Sequence, residues 1–322
     1  MSNSKQYWNN IRMGVRAAVS GWINDPNVKA IDYGWRERGG KIVENESCIR
    51  IHVIQKFKYE AVLEEAIEVG VTNKRIPESI AGIPVDVPQR DYLLQWGWSR
   101  RQRLANERAE RKATLLGGIS IANARLRGYG TLGGLVIDRK TGTKMILSNW
   151  HVLAGYWDVQ PGWPIYQPAR GDGGSKYDTV AKFSRHAMDS DLDAAVAEFT
   201  SNRQFINDQL GLEPVRGVGW AQLGMDVVKS GRRTGVTYGR VIGVEGLTKM
   251  SYRGINRVIR NVITIEPPQG LEVSAGGDSG SFWLDRNRME VVGLHFAGSN
   301  YPESALAIDM HPILDELDVD IA

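Results

Sequence analysis

The fold is indicated first by residues 129–153, whose sequence is YGTLGGLVIDRKTGTKMILSNWHVL. Two short apolar runs, LGGLVID and KMILS, lie on either side of a polar turn that contains glycine, a pattern typical of neighbouring β-strands. About eleven runs of this kind follow one another from Gly117 to Asp309, with no long helical period between them. Short strands at such close spacing predict an all-β barrel or sandwich. The segment MHPILDEL near the end predicts a closing helix.

Two further segments precede this β region. Residues 28–90 contain two alternating apolar runs, VKAIDYGWRE and SCIRIHVIQKF, then a helix-like stretch, YEAVLEEAIEVG, and an extended piece, IPVDVP. We therefore expect a small α+β domain over residues 1–90, too short to be very stable unless it packs against another unit. Residues 91–116 combine helix formers with an excess of arginine, which predicts a solvated helical linker. The third predicted domain spans residues 117–322.

Length and composition exclude several classes of protein. The chain has 322 residues, 42% hydrophobic and 24% charged, which is typical of two or three globular domains and not of a disordered or fibrous chain. Lys plus Arg number 40 against 37 Asp plus Glu, and the resulting charge of +3 is too weak and too mixed to indicate a nucleic-acid partner. Cys48 is the single cysteine, which excludes an intramolecular disulfide and a multi-cysteine metal site.

Targeting signals are also not apparent in the sequence. The N-terminal residues MSNSKQYWNN do not combine a cationic start with an apolar run, and no stretch of about 18 uncharged apolar residues occurs. We therefore expect a cytoplasmic protein with no membrane partner.

Three local sequences fit one catalytic mechanism. His151 lies in LSNWHVLAG, Asp193 in DSDLDAAVAEF and Ser279 in SAGGDSGSFW. A serine hydroxyl is a weak nucleophile at neutral pH, so it needs a nearby base, and that base needs a carboxylate to fix its tautomer. Each motif alone also suits a structural histidine, a turn aspartate or a tight turn. Their order along the chain is that of the chymotrypsin class, so we predict these three residues as catalytic.

The surrounding residues complete the predicted site. The sequence GGDSG lets the chain turn so that the backbone N–H groups of Gly277 and Ser279 converge as an oxyanion hole. Asp193 is preferred as the acid because it directly precedes an alternating strand, and Asp191 is the alternative. The mechanism requires no cofactor and no metal.

Residues 114–310 resemble the trypsin-like, chymotrypsin-fold serine proteases through SNWHVL, DAAVA, GGDSGS and GLHFAG. More narrowly, GGISI, VVKSGRRTGVTYGRV and the N-terminal GWRERGGKIV and RIPESIAGIPVDV resemble a bacterial intracellular branch akin to the plant narrow-leaf proteases. The resemblance implies a mainly β fold, a chymotrypsin-like double β-barrel preceded by the small α+β domain. His151 and Asp193 would then come from the first barrel, and Ser279 and the substrate pocket from the second.

The resemblance also raises a question about Asp278. Digestive members of the family are activated when a new N-terminus pairs with the aspartate that precedes the nucleophile. Here the protease region begins inside the chain. Either Asp278 is satisfied by another group, which we favour, or the arginine-rich linker is cut to release an N-terminus.

The resemblance further implies a substrate pocket. Val273 takes the position of the pocket floor, which disfavours specificity for Arg or Lys unless Glu272 turns into the pocket. An imidazole at His295 could donate to a substrate carbonyl or carboxylate, although it also suits a packed core histidine. We expect an acidic, amide or small apolar residue before the cut. The predicted substrate-binding residues are Val273, His295, Phe296, Ala297 and Gly298.

The sequence therefore favours a serine endopeptidase of narrow specificity that cleaves protein or peptide substrates through an acyl-enzyme. The alternative is a catalytically silent protease-fold scaffold. An intermediate possibility is a latent protease, in which residues 1–90 are regulatory and a protein activator is the partner. Nucleic-acid binding through the basic linker is disfavoured because the patch is short.

Overall fold

A computed structural model of the chain describes residues 2–56, 76–97 and 107–322. The predicted helix-like stretch YEAVLEEAIEVG lies outside these residues. The described helices are α1 (Ser2–Trp22), α2 (Trp150–Leu153) and α3 (Met310–Leu317), with 3-10 helices at Glu107–Ala109, Arg170–Asp172, Lys176–Asp178 and Met188–Ser190.

The strands account for most of the regular structure, so the predicted mainly β class is confirmed. In chain order they are β1 (Val28–Arg38), β2 (Lys41–Val53), β3 (Ser79–Ile80), β4 (Ile83–Asp86), β5 (Leu93–Leu94), β6 (Thr114–Gly117), β7 (Ser120–Asn123), β8 (Gly130–Thr131), β9 (Gly134–Asp138), β10 (Lys144–Ser148), β11 (Pro164–Tyr166), β12 (Thr179–His186), β13 (Ala195–Phe199), β14 (Gln204–Gln209), β15 (Gly217–Val218), β16 (Asp226–Gly231), β17 (Gly235–Tyr252), β18 (Ile255–Glu266), β19 (Phe282–Asp285), β20 (Glu290–Asn300), β21 (Glu303–Asp309) and β22 (Val319–Ile321). The predicted closing helix MHPILDEL is α3.

Six strands of the C-terminal half close on themselves. Their order is β16-β19-β20-β21-β18-β17, and β17 pairs again with β16. We call this closed sheet the C-terminal barrel. A second sheet has eight strands in the order β22-β9-β10-β13-β12-β11-β7-β8, so the last strand of the chain joins the first half of the β region.

The predicted N-terminal domain is not a separate sheet. Strand β17 pairs with β16 over its first part and with β1 over its second part, where Gly243 to Thr248 face Gly34 to Ala30. Strands β2, β4 and β3 continue outward from β1. The small unit thus reaches stability by sharing a sheet with the C-terminal barrel, because alone it could not bury enough apolar surface.

Helix α1 covers this extension. Ile11, Val15 and Ala18 are spaced three and four residues apart, and all three are buried in one apolar cluster with Ile31 and Ile49 of β1 and β2. The sequence reasoning did not predict this helix. No described helix, α1 included, is long and apolar enough to span a membrane.

A buried ionic network joins β1 and β2 to the barrel. The Asp32 carboxylate accepts from Arg50 Nε at 2.7 Å and from Thr264 Oγ1 of β18 at 2.7 Å, and it lies 3.2 Å from His52 Nε2. Burial raises the pKa of Asp32, but the Arg50 guanidinium and His52 outweigh it and lower the pKa well below its usual value. Position 243, where this pair crosses β17, requires glycine, because a β-carbon there would overlap both Asp32 and Arg50.

The described parts of the predicted linker are not helical. Residues 91–97 contain β5, and residues 107–116 contain a 3-10 turn and the start of β6. Arg108 is not solvated: its guanidinium is buried and donates to Ser230 Oγ at 2.6 Å and to Leu210 O at 2.7 Å. A charged side chain of the predicted linker is therefore buried and bound to Ser230 and to the main-chain carbonyl of Leu210, which the local composition does not reveal.

Cys48 is fully buried, and its thiol donates to the carbonyl of Gly34 at an S···O distance of 3.6 Å. Burial raises the pKa of Cys48 to about 12. The thiol therefore stays protonated and unreactive, since the thiolate is the reactive form.

We predict that Arg50→Met lowers the free energy of unfolding by about 3–5 kcal/mol, because it leaves the Asp32 carboxylate buried without its guanidinium. Urea unfolding checks this. The matched control is Arg12→Met, which removes an exposed ion pair with Glu245 at 2.8 Å and should cost less than about 1 kcal/mol. Equal losses in the two variants would contradict the predicted coupling.

Candidate active site

Strand pairing brings His151 and Asp193 together. β10 pairs with β13, with Ser148 opposite Ala195, so the residues just beyond these positions become neighbours. The backbone then turns into α2, which carries His151. His151 Nδ1 lies 2.5 Å from Asp193 Oδ2, and the main-chain N–H of His151 donates to Asp193 Oδ1 at 3.1 Å. A carboxylate on Nδ1 fixes the tautomer that leaves Nε2 free to act as a base.

Two further side chains fix the acid. Asn149 Nδ2 donates to the main-chain oxygen of Asp193 at 2.7 Å, and the Tyr252 hydroxyl donates to Asp193 Oδ2 at 2.9 Å. Tyr252 comes from the far end of β17, so it belongs to the other sheet. Burial and the Asp193 charge raise the pKa of Tyr252 well above its usual value, so the hydroxyl keeps its proton and donates. Sequence reasoning missed this contact because nothing in the local sequence links the two positions.

The nucleophile lies in a turn that requires glycine. Gly277 and Gly280 flank Ser279 with φ of +116° and +98°, conformations that favour glycine. The Ser279 hydroxyl donates to Phe296 O at 3.2 Å, while His151 Nε2 is buried with no hydrogen-bond partner among the described residues. The serine and the base are therefore not hydrogen-bonded to each other in this state. In enzymes without bound substrate, a hydrogen bond between a nucleophile and its base is often long and tightens only in the complex.

Lys229 satisfies Asp278. Its ammonium lies 2.9 Å from Asp278 Oδ2, and both side chains are fully buried. Thr234 Oγ1 and the Arg233 N–H also donate to this carboxylate, at 2.6 and 2.8 Å. Burial raises the pKa of Asp278, but the Lys229 charge and the Thr234 hydrogen bond outweigh it and lower the pKa to about 2. Asp278 is thus paired with a lysine of the chain itself, in agreement with the alternative that the sequence analysis favoured.

The predicted pocket residues lie along β20 beside the serine. His295 is fully buried, and its Nδ1 accepts from the indole N–H of Trp283 at 3.4 Å. An indole nitrogen can only donate, so the imidazole proton is assigned to Nε2. Burial and the nearby Lys229 charge lower the pKa of His295 to about 3, which keeps the ring neutral at physiological pH.

A segment of the chain itself lies across this site. Leu94 and Leu93 of β5 pair antiparallel with Ala297 and Gly298 of β20. The Gly277 N–H, a predicted oxyanion donor, donates to the carbonyl of Gln95 at 2.5 Å. Ser279, whose N–H is the second predicted donor, follows two residues later in the same turn and is fully buried. The sequence reasoning placed these residues in a linker and did not anticipate their position.

Other predicted residues lie apart from the reacting groups. Val273 is buried in the apolar cluster of the C-terminal barrel, and its N–H donates to Glu303 at 3.0 Å. Its role as pocket floor stays a prediction, and Glu272 is exposed. Asp191, the alternative acid, pairs with Arg260 at 2.9 Å and not with His151. Among the described residues, no group of three or more His, Cys, Asp or Glu side chains could hold a metal ion.

The chain is similar in structure to bacterial serine proteases. Neither a family model nor a curated protein sequence matches it. Thermobifida fusca protease A is 16% identical with a TM-score of 0.47, and the match covers 65% of this chain and 98% of that one. A glutamic-acid-specific serine protease is 20% identical with a TM-score of 0.49, covering 65% and 100%. The Nocardiopsis protease is 18% identical with a TM-score of 0.48, covering 65% and 100%.

These identities and TM-scores are too low to decide what the site does. The narrower resemblance to an intracellular branch akin to the plant narrow-leaf proteases stays a prediction. The function has to be argued from the geometry of the chain itself.

We predict that Lys229→Met lowers the free energy of unfolding by about 3–5 kcal/mol, because it leaves Asp278 charged, buried and unpaired. In the native chain the lowered pKa of Asp278 stabilises the folded state at pH values above 3.8, the usual pKa of this group. This stabilisation is lost as the pH falls towards 2. In the variant the unpaired carboxyl gains a proton more readily when folded. The deficit in stability should therefore shrink as the solution becomes acidic.

Thermal unfolding across a pH series measures this change. Lys140→Met is the matched control, because Lys140 forms an exposed pair with Asp318 at 3.1 Å and its loss should cost under about 1 kcal/mol. A deficit that does not depend on pH would contradict the assigned pairing.

Proposed function

We propose that the chain is a serine endopeptidase in which Ser279, His151 and Asp193 form the catalytic triad. One observation carries the proposal: a peptide carbonyl, that of Gln95, accepts a hydrogen bond from the Gly277 N–H at 2.5 Å, in the turn that holds Ser279. The turn is therefore shaped to bind the oxygen of an amide next to the nucleophile. Stabilising that oxygen as it becomes negative is commonly the largest contribution to acyl transfer.

The mechanism follows from the groups that surround this oxygen. Ser279 Oγ attacks the substrate carbonyl carbon, and His151 Nε2 takes its proton. Asp193 holds the imidazolium that forms, assisted by the donors Asn149 and Tyr252. His151 then gives the proton to the leaving amine. A water molecule hydrolyses the acyl-enzyme by the same route in reverse.

Lys229 and Asp278 act indirectly in this mechanism. Asp278 accepts main-chain N–H groups from Ala275 and Thr234, both at 3.1 Å, and so holds the oxyanion turn against the neighbouring loop. Because Lys229 supplies the compensating charge internally, the proposed site does not depend on a processed N-terminus. We propose protein or peptide substrates, since β20 offers main-chain groups for an extended chain.

A catalytically silent scaffold is the second candidate, and one observation favours it. The Ser279 hydroxyl is bonded to Phe296 O and not to His151 Nε2, so the nucleophile is not activated in this state. A scaffold would leave this arrangement unchanged, whereas an enzyme has to rotate the Ser279 side chain. Cytoplasmic location, a protein activator and regulation by residues 1–90 stay expectations from the sequence.

We predict that a fluorophosphonate probe labels the protein at Ser279 and that Ser279→Ala abolishes the labelling. His151→Ala should slow it by at least about a hundredfold, because general-base catalysis contributes roughly that much. Mass spectrometry of the labelled peptide identifies the residue, and labelling is followed over time because Ser279 is buried. A native chain that is neither labelled nor able to cut any member of a diverse peptide library would support the scaffold.

We also predict that Tyr252→Phe slows the labelling about tenfold, because Asp193 loses a charged hydrogen bond worth roughly 1.5–3 kcal/mol. The control is Tyr238→Phe on the same strand, where the side chain is 42% exposed and no change is expected. Unfolding midpoints of both variants show whether the fold is kept. Equal labelling rates for Tyr252→Phe and the native chain would mean that the tyrosine does not support the acid.

A further inference from the structure

Residues 93–97, which we call the cleft segment, lie between β20 and Tyr129, beside the turn that holds Ser279. On one side of Gln95, β5 pairs antiparallel with β20, and the Gln95 N–H donates to Phe296 O at 3.2 Å. On the other side, Gly97 exchanges two main-chain hydrogen bonds with Tyr129, at 3.1 and 3.2 Å. The peptide bond between Gln95 and Trp96 is therefore fixed from both ends.

The Gln95 side chain fills the pocket beside the serine. Its Oε1 lies 2.6 Å from His295 Nε2, the nitrogen to which the Trp283 contact assigns the proton, so His295 donates to the amide. Gln95 Nε2 comes so close to Gly298 that a β-carbon there would overlap it. Gln95 is only 6% exposed. A neutral donor in a closed space matches a side-chain amide, whereas a carboxylate would add a charge beside His295, and the nearby Lys229 is already paired with Asp278.

Trp96 occupies the side of the leaving group. Its ring lies edge-on to the imidazole of His151, with ring centres 6.1 Å apart. It also packs against the cluster formed by Leu126, Tyr129 and Ala169. The Gln95 carbonyl is thus in the oxyanion turn, and the amine that would leave is on the side of the general acid.

Tyr92, the residue just before the cleft segment, anchors that segment to the interior of the protein. Tyr92 is fully buried, and its hydroxyl lies 3.0 Å from His52 Nδ1, which joins it to the Asp32 network. The residues before the cleft are therefore held by β1 and β2, which stay paired with the barrel whatever happens at Gln95. A cut after Gln95 would leave both pieces in one folded particle.

We propose that the Gln95–Trp96 peptide bond is a substrate of the chain's own active site, and that the pocket of His295 and Gly298 selects glutamine before the cut. This rests on the proposed protease function and adds its substrate class and its regulation. While the bond is intact, the segment covers Ser279 and keeps other substrates out. Cleavage gives Trp96 a free amino group and allows Trp96 and Gly97 to move away from Ser279.

The reaction is an ordinary hydrolysis. Ser279 Oγ rotates away from Phe296 O, which keeps a donor in the Gln95 N–H, and attacks the Gln95 carbonyl carbon while its proton passes to His151. The Gln95 C–N bond breaks, and His151 gives the proton to the new amino group of Trp96. Water then attacks the ester between Gln95 and Ser279, and His151 takes a proton from the water and returns it to Ser279. Gln95 leaves as a carboxylic acid, which gives its proton to the new amino group of Trp96 or to solvent.

The test follows the full-length chain by intact-mass spectrometry and N-terminal sequencing after purification near neutral pH. We expect the native chain to yield fragments that end at Gln95 and begin at Trp96 and that co-elute in size-exclusion chromatography. Ser279→Ala should stay intact. Gln95→Glu should be cut at least about tenfold more slowly, because its charge has no partner in the pocket. The matched control is Gln89→Glu, the same change on an exposed residue, which should be cut like the native chain.

A further arm separates failure of this inference from failure of the protease function. Gln95→Arg replaces the amide with a side chain too large for the space at Gly298, which frees the cleft for an added peptide of sequence DYLLQWGW. If the native chain stays intact while this peptide is cleaved or Ser279 is labelled, the proposal of self-cleavage is wrong and the proposed protease function is supported. Cleavage at any other bond, or equal rates for Gln95→Glu and Gln89→Glu, also overturns it. Neither labelling nor peptide cleavage in any chain overturns both proposals.

Discussion

The long strand β17 is the constraint on which most of the molecule depends. Its first part closes the C-terminal barrel against β16, its second part receives β1, and its last residue, Tyr252, reaches the acid of the other sheet. One continuous strand thus fixes the barrel, the N-terminal extension and one support of the candidate site. The strand can do this because it is long: β16 and β1 follow one another along one edge, while β18 pairs along the other.

Three buried carboxylates, those of Asp32, Asp278 and Asp193, differ in the groups that balance their charge. Asp32 is neutralised by Arg50 and joins the N-terminal strands to the barrel. Asp278 is neutralised by Lys229 and holds the oxyanion turn. Asp193 has no such cation among its hydrogen-bond partners: it faces His151 and is held by neutral donors. A carboxylate supported in this way can stabilise an imidazolium that forms next to it, which a carboxylate already paired with a lysine would do less well.

The cleft segment changes how the N-terminal region is understood. Residues 92–97 connect the Asp32 network to the candidate site through Tyr92, Gln95 and Trp96. Strands β1 to β4 therefore belong to the sheet whose strand β20 pairs with β5, next to the Gln95 side chain. His295 Nε2 can donate to the Gln95 amide oxygen without bringing a charge into the interior.

The sequence by itself determined many of the strands, the closing helix and the residue types of the candidate site, because alternation, glycine turns and the motifs around His151, Asp193 and Ser279 are local signals. It did not determine helix α1, the burial of Arg108, or the contacts of Tyr252 and Lys229. Gln95 shows the limit most clearly, since its neighbours are helix formers and arginines, yet its side chain lies on His295. Only the tertiary structure decided these positions, because each depends on packing or hydrogen bonding between groups far apart in the chain, and no spacing in the sequence encodes such contacts.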